Sequence, residues 1–255
     1  MLFLRREFAL LSNIKIVLVE TSHSGNIGAV ARAMKNMTMT NLCLVSPKLF
    51  PHADATARAA GADDILARAK IYETLQEAIA DCTLVIGASA RSRTISWTEV
   101  TPRECAEKVV HEFGDEKIAI VFGRENSGLK NEELDLCRFL LHIPCNQNYS
   151  SLNIAAAVQV ICYELFIAAQ NGEVARKVVG DEDDQELATN EQMELFYEHL
   201  AQTLADIDFM RTDKEKSLMR RLRRIYNRAE LRSKEVDILR GILRLSQGHK
   251  GAMKK

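Results

Sequence analysis

The stretch FGRENSGL (122–129) places an arginine, a glutamate and an asparagine between two glycines, directly after the apolar run IAIVF (118–122). A run that is apolar on both faces is typical of a parallel strand covered by helices. Open sheets of that kind bind ligands at the carboxyl ends of their strands, so this loop is a candidate ligand site. Its spacing matches neither the GxGxxG of dinucleotide folds nor a phosphate-binding loop. The simpler interpretation is a turn in which Asn126 and Gly128 supply the left-handed positions.

A second polar cluster, TSHSGNIGAVARAM (21–34), leaves the first apolar run and enters a predicted helix. Asn26 is well placed to cap that helix. The helical spacing puts Arg32 almost opposite the apolar stripe, toward solvent, a substrate or a partner subunit. Most exposed arginines are ordinary surface residues, so spacing alone does not assign it a function. The predicted buried stripe consists of Ile27, Val30, Ala31, Met34 and Met37.

The third cluster is IPCNQNYSSLNIAAAV (143–158), in which a strand ends at Ile143 and Pro144 breaks it. A helix is predicted to begin at Ser150 or Ser151, and serine there can be a cap and nothing more. A helix start also offers unpaired N–H groups and the positive end of a dipole. Asn153, in the predicted first turn, adds an amide to this candidate site.

These clusters need a scaffold, and five short apolar runs predict its strands at 14–20, 41–46, 83–89, 118–122 and 139–143. Stretches with helical spacing lie between them at 27–37, 75–81 and 103–113. The alternation predicts an α/β fold with a parallel sheet and helices on both faces.

The chain changes character after residue 170. Residues 180–192 are acidic and almost without large apolar groups, which predicts a linker. Helices are predicted at about 193–209, 214–228 and 230–246, and the second has Leu218, Leu222 and Ile225 on one side. We therefore expect a domain over 12–170, a linker over 171–190 and a helical extension over 191–255. The opposite side of the second helix is predicted to carry Arg220, Arg224 and Arg228.

Charge divides the chain in the same way. The net charge is −1, but residues 211–255 carry a surplus of +10 and the preceding 210 residues a balance of −11. An acidic body with a basic tail suggests a polyanionic partner, and a solvated helical face explains the tail equally well.

Composition bounds the class of protein. The 255 residues, 47% hydrophobic and 27% charged, suffice for one α/β core with an appendage. No stretch approaches the roughly 18 apolar residues of a membrane span, so no membrane partner is expected. The six cysteines form no CxxC pair, which predicts reduced core thiols in a cytoplasmic protein without a metal site.

Taken in chain order, the three clusters resemble the three motifs of the SpoU branch of the SPOUT RNA methyltransferases. The matching patterns are Asn-x-Gly-x-x-x-Arg (26–32), Gly-x-Glu-Asn-x-Gly (123–128) and Ser-Ser-Leu-Asn (150–153). The resemblance covers about residues 12–170. The stretch GASARSRTISW (87–97) and the helical tail are similar to the bacterial tRNA ribose methyltransferases that modify nucleotide 32 of the anticodon loop.

This resemblance implies a trefoil knot at the end of the α/β domain, although knots are nearly absent from proteins. It implies S-adenosylmethionine as the cofactor, and a homodimer paired through the knot region, in which Arg32 faces the cofactor of the other subunit. The implied cofactor-binding residues are Ala88, Ser89, Ala90, Gly123, Ile143, Ser150, Ser151 and Leu152.

The implied reaction is 2′-O-methylation of a ribose in tRNA, at cytidine or uridine 32. Arg32 would orient the hydroxyl and stabilise the developing alkoxide, since a guanidinium with a pKa above about 12 is a poor base. Whether it also accepts the proton is left open, and His23 is another candidate base. Arg93 and the three tail arginines would bind tRNA. The implied catalytic residues are Arg32, Asn26, Glu125, Ser151 and Asn153.

Three alternatives remain at the level of sequence. An rRNA ribose methyltransferase of the same branch would commonly carry an amino-terminal RNA-binding extension, whereas the first predicted strand here begins at Ile14. A catalytically silent RNA-binding or assembly factor would have no need of the full set of motif residues. A Rossmann-type methyltransferase is disfavoured by the missing glycine-rich first loop.

Overall fold

The computed structural model describes residues 10–90, 98–114, 116–146, 151–171, 186–210 and 215–248. The chain divides into two compact units, 1–177 and 178–255.

The first unit is built on a seven-stranded sheet in which all neighbouring strands pair in parallel. The order of the strands is β3-β2-β1-β6-β4-β7-β5. The predicted α/β class with a parallel sheet is therefore confirmed. The strands are β1 (Ile14–Val19), β2 (Asn41–Val45), β3 (Lys70–Tyr72), β4 (Leu84–Ala88), β5 (Thr98–Val100), β6 (Ile118–Phe122) and β7 (Phe139–Leu141).

Within the described residues, the helices given below connect and cover these strands. The helices at 53–59, 63–68 and 131–134 were not expected from the sequence, and each has seven residues or fewer. The helices are α1 (Ser24–Asn36), α2 (Ala53–Ala59), α3 (Asp63–Arg68), α4 (Leu75–Ile79), α5 (Pro102–Glu112), α6 (Asn131–Leu134) and α7 (Ile154–Asn171).

The core lies on both faces of the sheet because its central strands are apolar at almost every position, with Lys15 of β1 as an exception. Alternate residues of β1, such as Val17 and Val19, pack in one cluster with α4 and α6. Their neighbours Ile16 and Leu18 are buried as well and point to the opposite face. Among the covering helices, α7 contacts both α1 and α5. The expectation of helices on both faces is confirmed, whereas the knot stays a prediction.

The two edge strands, β3 and β5, were missed by the sequence analysis. Each has three residues, two of which are exposed, so neither produces an apolar run. A short edge strand pairs with one neighbour only and needs little burial, which is why periodicity cannot find it.

Two predicted helix caps are wrong. Helix α7 begins at Ile154 and not at the serines; the Asn153 side chain accepts a hydrogen bond from the N–H of Ala155 at 2.9 Å and takes the capping role. Helix α1 begins at Ser24, with His23 in the cap position and no capping side chain, so Asn26 lies inside the first turn. The predicted stripe of α1 is buried except at Met37, which is half-buried.

Helix α7 passes the length and composition test for a membrane span, alone among the described helices. This contradicts the expectation that no stretch comes close to one. A single such helix is weak evidence, because the core helix of a soluble protein passes the same test. Only 33% of its residues are buried, which leaves apolar side chains of α7 open.

The described part of the second unit contains the helices α8 (Asn190–Asp206), α9 (Glu215–Ala229) and α10 (Ser233–Gly248). Their small core contains Phe196, Tyr197 and Val236. Helix α9 contributes Met219, Leu222 and Tyr226 to it. The predicted apolar side is thus correct at Leu222 and wrong at Ile225, which is 51% exposed.

Candidate functional site

A cavity of about 310 Å³ opens at the carboxyl ends of β4, β6 and β7. The loop from 123 to 128 forms one wall, and the residues just before α7 form another. Of the predicted cofactor-binding residues, Ser150 lies outside the described residues. The structure brings the others together around this cavity: Ala88, Ser89, Ala90, Gly123, Ile143, Ser151 and Leu152.

The loop 123–128 closes on itself. The N–H of Arg124 donates to the carbonyl of Gly128 at 3.2 Å, and the N–H of Gly128 donates back at 2.9 Å. A Cβ on Gly123 would lie 2.1 Å from the carbonyl carbon of Gly128. Glycine is therefore required at 123 by the close approach of the loop's own backbone, and not only by the approach of a ligand. Gly128 has φ +69°, whereas Asn126 is not in the left-handed region.

Glu125 ties this loop to the start of α1. Its carboxylate accepts hydrogen bonds from the N–H and hydroxyl of Ser22, at 3.2 and 3.0 Å, and from the N–H of His23 at 3.2 Å. The side-chain amide of Asn26 donates to it at 3.1 Å. Burial alone raises the pKa of Glu125, but these donors outweigh burial and hold the pKa below its ordinary value. The group is therefore a fixed carboxylate.

Asn26 extends the connection to the third cluster. Its Oδ1 accepts a hydrogen bond from Nδ2 of Asn153 at 3.0 Å. A chain Glu125–Asn26–Asn153 thus links the start of α1 to two segments that lie 99 and 127 residues further along the sequence. The three clusters singled out in the sequence meet at one edge of the sheet.

Arg124 points away from Glu125 and makes an ion-pair network that sequence analysis missed. Its Nε donates to Glu20 at 3.0 Å, and its two terminal nitrogens donate to Glu133 at 2.8 and 3.0 Å. These hydrogen bonds lower the pKa of Glu20 to about 2. Glu20 follows β1 directly and Arg124 is the second residue after β6, but these positions alone do not indicate that the two side chains pair. The network joins the loop to both β1 and α6.

The remaining predicted residues are spread over the molecule. Ser151 lines the cavity, and Asn153 lines a second cavity described below. Arg32 is exposed on α1 and lines neither of the two. Arg93 lies outside the described residues. In the tail, Arg220 and Arg224 are half-buried and Arg228 is exposed, all on α9.

The second cavity, of about 660 Å³, lies beside the first turn of α1. It shares Asn26 and Asn153 with the hydrogen-bonded chain, so that chain borders both cavities. Its other walls come from the segment 49–58, with Leu49, His52 and Arg58.

All six cysteines are free thiols, and five of them are buried. Burial raises the pKa of Cys105 and Cys162 to about 12, so these thiols are inert packing groups. Cys145 is half-buried and lines the first cavity. The described residues contain no group of three or more metal-ligating side chains.

The parallel sheet, the polar loop after β6 and its connection through Asn26 to the cap of α7 agree with the SpoU methyltransferase motifs expected from the sequence. The sequence model of the SpoU rRNA methylase family matches residues 13–163. The chain belongs to this family, and the predicted resemblance is confirmed. A second model, the C-terminal domain of the tRNA methyltransferase TrmJ, matches residues 191–254.

Relatives resemble the chain over nearly its whole length. A tRNA (cytidine/uridine/adenosine-2′-O-)-methyltransferase TrmJ from Pseudomonas aeruginosa is 48% identical, over 93% of this chain and 95% of its own. A tRNA (cytidine/uridine-2′-O-)-methyltransferase TrmJ from Salmonella typhimurium is also 48% identical, over 95% of this chain and all of its own.

Solved structures agree. TrmJ from Z. mobilis superposes with a TM-score of 0.78 at 30% identity, covering 91% of this chain and 97% of that one. A probable methylase family protein from Haemophilus influenzae has a TM-score of 0.60 at 45% identity, covering 96% of this chain and all of that one.

Proposed function

We propose that the protein transfers the methyl group of S-adenosylmethionine to a ribose 2′-hydroxyl in tRNA, at cytidine or uridine 32 of the anticodon loop. The observation that carries the proposal is the hydrogen-bonded chain Glu125–Asn26–Asn153 at the edge of the cavity. Relatives 48% identical over almost the whole chain are named for 2′-O-methylation of tRNA cytidine and uridine, which supports this substrate class.

The cavity fits the cofactor in size and charge. Its volume of about 310 Å³ is within the range of small-molecule sites. Among its described lining residues the cation is Arg124, and two carboxylates already neutralise it. A sulfonium ligand therefore meets no unpaired positive charge there. Leu141, Ile143 and Leu152 give the cavity apolar walls, and the segments 88–90 and 123–128 complete its lining.

When bound, S-adenosylmethionine supplies an electrophilic methyl group. The chain's own residues then need to hold the ribose in line and manage the hydroxyl proton. We assign Arg32 to the ribose 2′-hydroxyl: its guanidinium orients the hydroxyl and stabilises the developing alkoxide. Glu125, Asn26, Ser151 and Asn153 position the loops; the depressed pKa of Glu125 keeps it ionised at neutral pH, so it is not a general acid.

A homodimer brings Arg32 to the cofactor of the other subunit in this proposal. Arg32 is exposed and lines neither cavity of its own chain, in keeping with that arrangement. Helix α7 offers the surface for pairing, because a second apolar stripe stays open beside its buried one. Tyr163 in that stripe is 49% exposed. The stripe consists of Ala156, Val160, Tyr163 and Ile167.

The tail is proposed to bind tRNA. The catalytic domain over 12–170 would repel a polyanion, and the basic extension over 191–255, joined by the acidic linker 171–190, supplies the missing attraction. Arg220, Arg224 and Arg228 would contact phosphates, with Arg93 near the active site. Acting on tRNA, the enzyme would work in the cytoplasm without a membrane partner.

The test is to incubate the purified protein with methyl-labelled S-adenosylmethionine and either bulk tRNA or rRNA, and to map the modified ribose. We expect label at position 32 of tRNA. The Arg32→Ala variant should lose transfer by roughly a hundredfold or more while its cofactor affinity is unchanged. Arg68→Ala, an exposed arginine on α3, is the matched control. Label found only in rRNA would show that the substrate is rRNA and not tRNA. Binding of RNA without methyl transfer would show that the protein is an RNA-binding factor and not an enzyme.

A further inference from the structure

The second cavity, beside the first turn of α1, has no part in binding the cofactor as described above. Its volume of about 660 Å³ is large enough for a nucleotide-sized group. The walls combine an exposed apolar side chain, Leu49, with the hydroxyls of Ser22 and Ser24 and the side chain of His52. An apolar wall with a few convergent polar groups is the usual composition of a ligand site.

Arg58 gives this cavity its positive charge. Its Cδ and Nε lie 2.8 and 2.9 Å from the position that a Cβ on Gly25 would occupy. The arginine stem therefore rests on the first turn of α1, in space that only a glycine leaves free. Throughout the described part of the chain, no side chain or carbonyl pairs with the Arg58 guanidinium.

Three other arginines of the first unit are engaged in ion pairs. Arg68 pairs with Asp64 at 2.9 Å, Arg103 with Glu164 at 3.5 Å, and Arg124 with two carboxylates. The carboxylate of the second cavity, Asp54, does not pair with Arg58; it lies 3.5 Å from Nδ1 of His52 and its side chain is 71% exposed. An unpaired guanidinium at the wall of a cavity is a local attraction for phosphate.

The position of Arg58 relates it to the proposed reaction. Gly25 and Arg32 are seven residues apart on α1, so they lie within about 20° on one face and about 10 Å apart along the axis. Arg58, resting on Gly25, thus precedes Arg32 along the face to which we assign the ribose hydroxyl. Asn26 and Asn153 separate this face from the cofactor cavity.

We propose that the second cavity binds a phosphodiester group of the RNA strand next to the target ribose, with Arg58 as the phosphate-binding cation. This inference rests on the proposed function, since it names where the substrate strand lies beside that site. A phosphate contact contributes affinity and register without reading the base.

The experiment measures tRNA binding across a salt titration, with methyl transfer and cofactor affinity alongside. Arg58→Gln should weaken tRNA binding roughly fivefold to tenfold and make log K against log salt shallower by roughly one unit. Cofactor affinity should stay unchanged. Arg58→Lys should keep the salt slope, because it keeps the charge. Arg68→Gln on neighbouring α3 removes another exposed arginine, one that is paired with Asp64, and should change neither quantity.

An Arg58→Gln protein with the wild-type salt slope and affinity overturns the inference, as does an equal effect of Arg68→Gln. A wild-type protein that transfers no methyl to tRNA overturns the proposed function instead. The two failures are distinguishable because the salt slope is measured by binding, without turnover.

Discussion

Each of the two units of the chain contains a largely buried arginine, and the two arginines have different surroundings. Arg124 in the first unit and Arg223 in the second are both largely buried, with side chains 14% and 19% exposed, and both pair with carboxylates. Arg124 bonds two carboxylates from β1 and α6, within a sheet whose central strands are buried at almost every position. Arg223 bonds Glu194 at 2.7 Å and lies 4.3 Å from the ring of Tyr197, in a bundle where α9 has no buried residue.

The difference shows how each arginine acts. In the first unit the strands are fixed by packing, so Arg124 is left to fix a loop, and that loop is a cavity wall. In the second unit few side chains are buried, so Arg223 is part of what holds α9 against α8. We therefore expect the same substitution to damage cofactor binding in one unit and helix packing in the other.

The sharpest way to break this comparison is to make Arg124→Met and Arg223→Met. Arg124→Met leaves Glu20 and Glu133 facing each other without their shared cation, with only Lys130 3.5 Å from Glu20. A loss of about 3 kcal/mol in stability is expected, with cofactor affinity reduced roughly tenfold or more. Arg223→Met should weaken tRNA binding and leave cofactor affinity unchanged. Calorimetric titration with S-adenosylmethionine separates the two variants.

Arg124→Lys is the control for Arg124→Met, because it keeps the charge but not the fork that meets two carboxylates. It should fall between the wild type and the methionine variant. Equal cofactor affinity in all three proteins would show that the loop is fixed without Arg124.

The sequence was sufficient for the parts of this site that depend on local patterns. Strands β1, β2, β4, β6 and β7 are continuous apolar runs, and the loop after β6 stands out because it is polar. The pairing of Glu125 with Ser22 and Asn26 was not predictable, because it joins residues about a hundred positions apart. The Arg124 network has the same origin: nothing local distinguishes Glu20 and Glu133 from surface glutamates.

The misplaced caps have a physical reason too. Serine, asparagine and aspartate all cap helices well, so SSLN offers three candidates and the sequence does not choose among them. Asn153 became the cap while its amide nitrogen was used by Asn26. In α9, the error at Ile225 arose because Arg223 occupies the packed side, where an apolar residue was expected.

A second prediction sharpens the contrast between the acidic body and the basic tail. Changing Arg220, Arg224 and Arg228 together to Gln should weaken tRNA binding by roughly tenfold or more and flatten its salt dependence by up to roughly three units. Cofactor affinity should be unchanged. The matched control changes three exposed body cations that are already paired, Arg68, Arg103 and Lys117, to Gln. Equal salt slopes in both triple variants would show that the tail arginines do not bind RNA.

A smaller effect is expected on the stability of the protein at low pH. The pKa of Glu20 is lowered from 4.5 to about 2 by Arg124, so the folded state favours its ionised form. Its stabilising contribution is present above pH 4.5 and is lost as the pH falls through about 2. Glu20→Gln should therefore be less stable than the wild type at pH 7, with the gap closing as the pH approaches 2. Urea unfolding at pH 7, 4 and 2.5 measures this; a gap that does not change with pH contradicts it.

The smallest perturbation probes the cavity without altering any interaction. Five of the six cysteines are buried, and burial raises the pKa of each of these thiols, so only Cys145 is open to a reagent. Because Cys145 lines the first cavity, saturating S-adenosylhomocysteine should slow its alkylation by N-ethylmaleimide several-fold. The tail substitutions at Arg220, Arg224 and Arg228 should leave this protection unchanged, whereas Arg124→Met should reduce it. Peptide mapping of the alkylated thiol measures this protection. If Cys145 is not protected at saturating ligand, the cofactor binds elsewhere. The expected difference between Arg124 and Arg223 in cofactor binding would then have no basis.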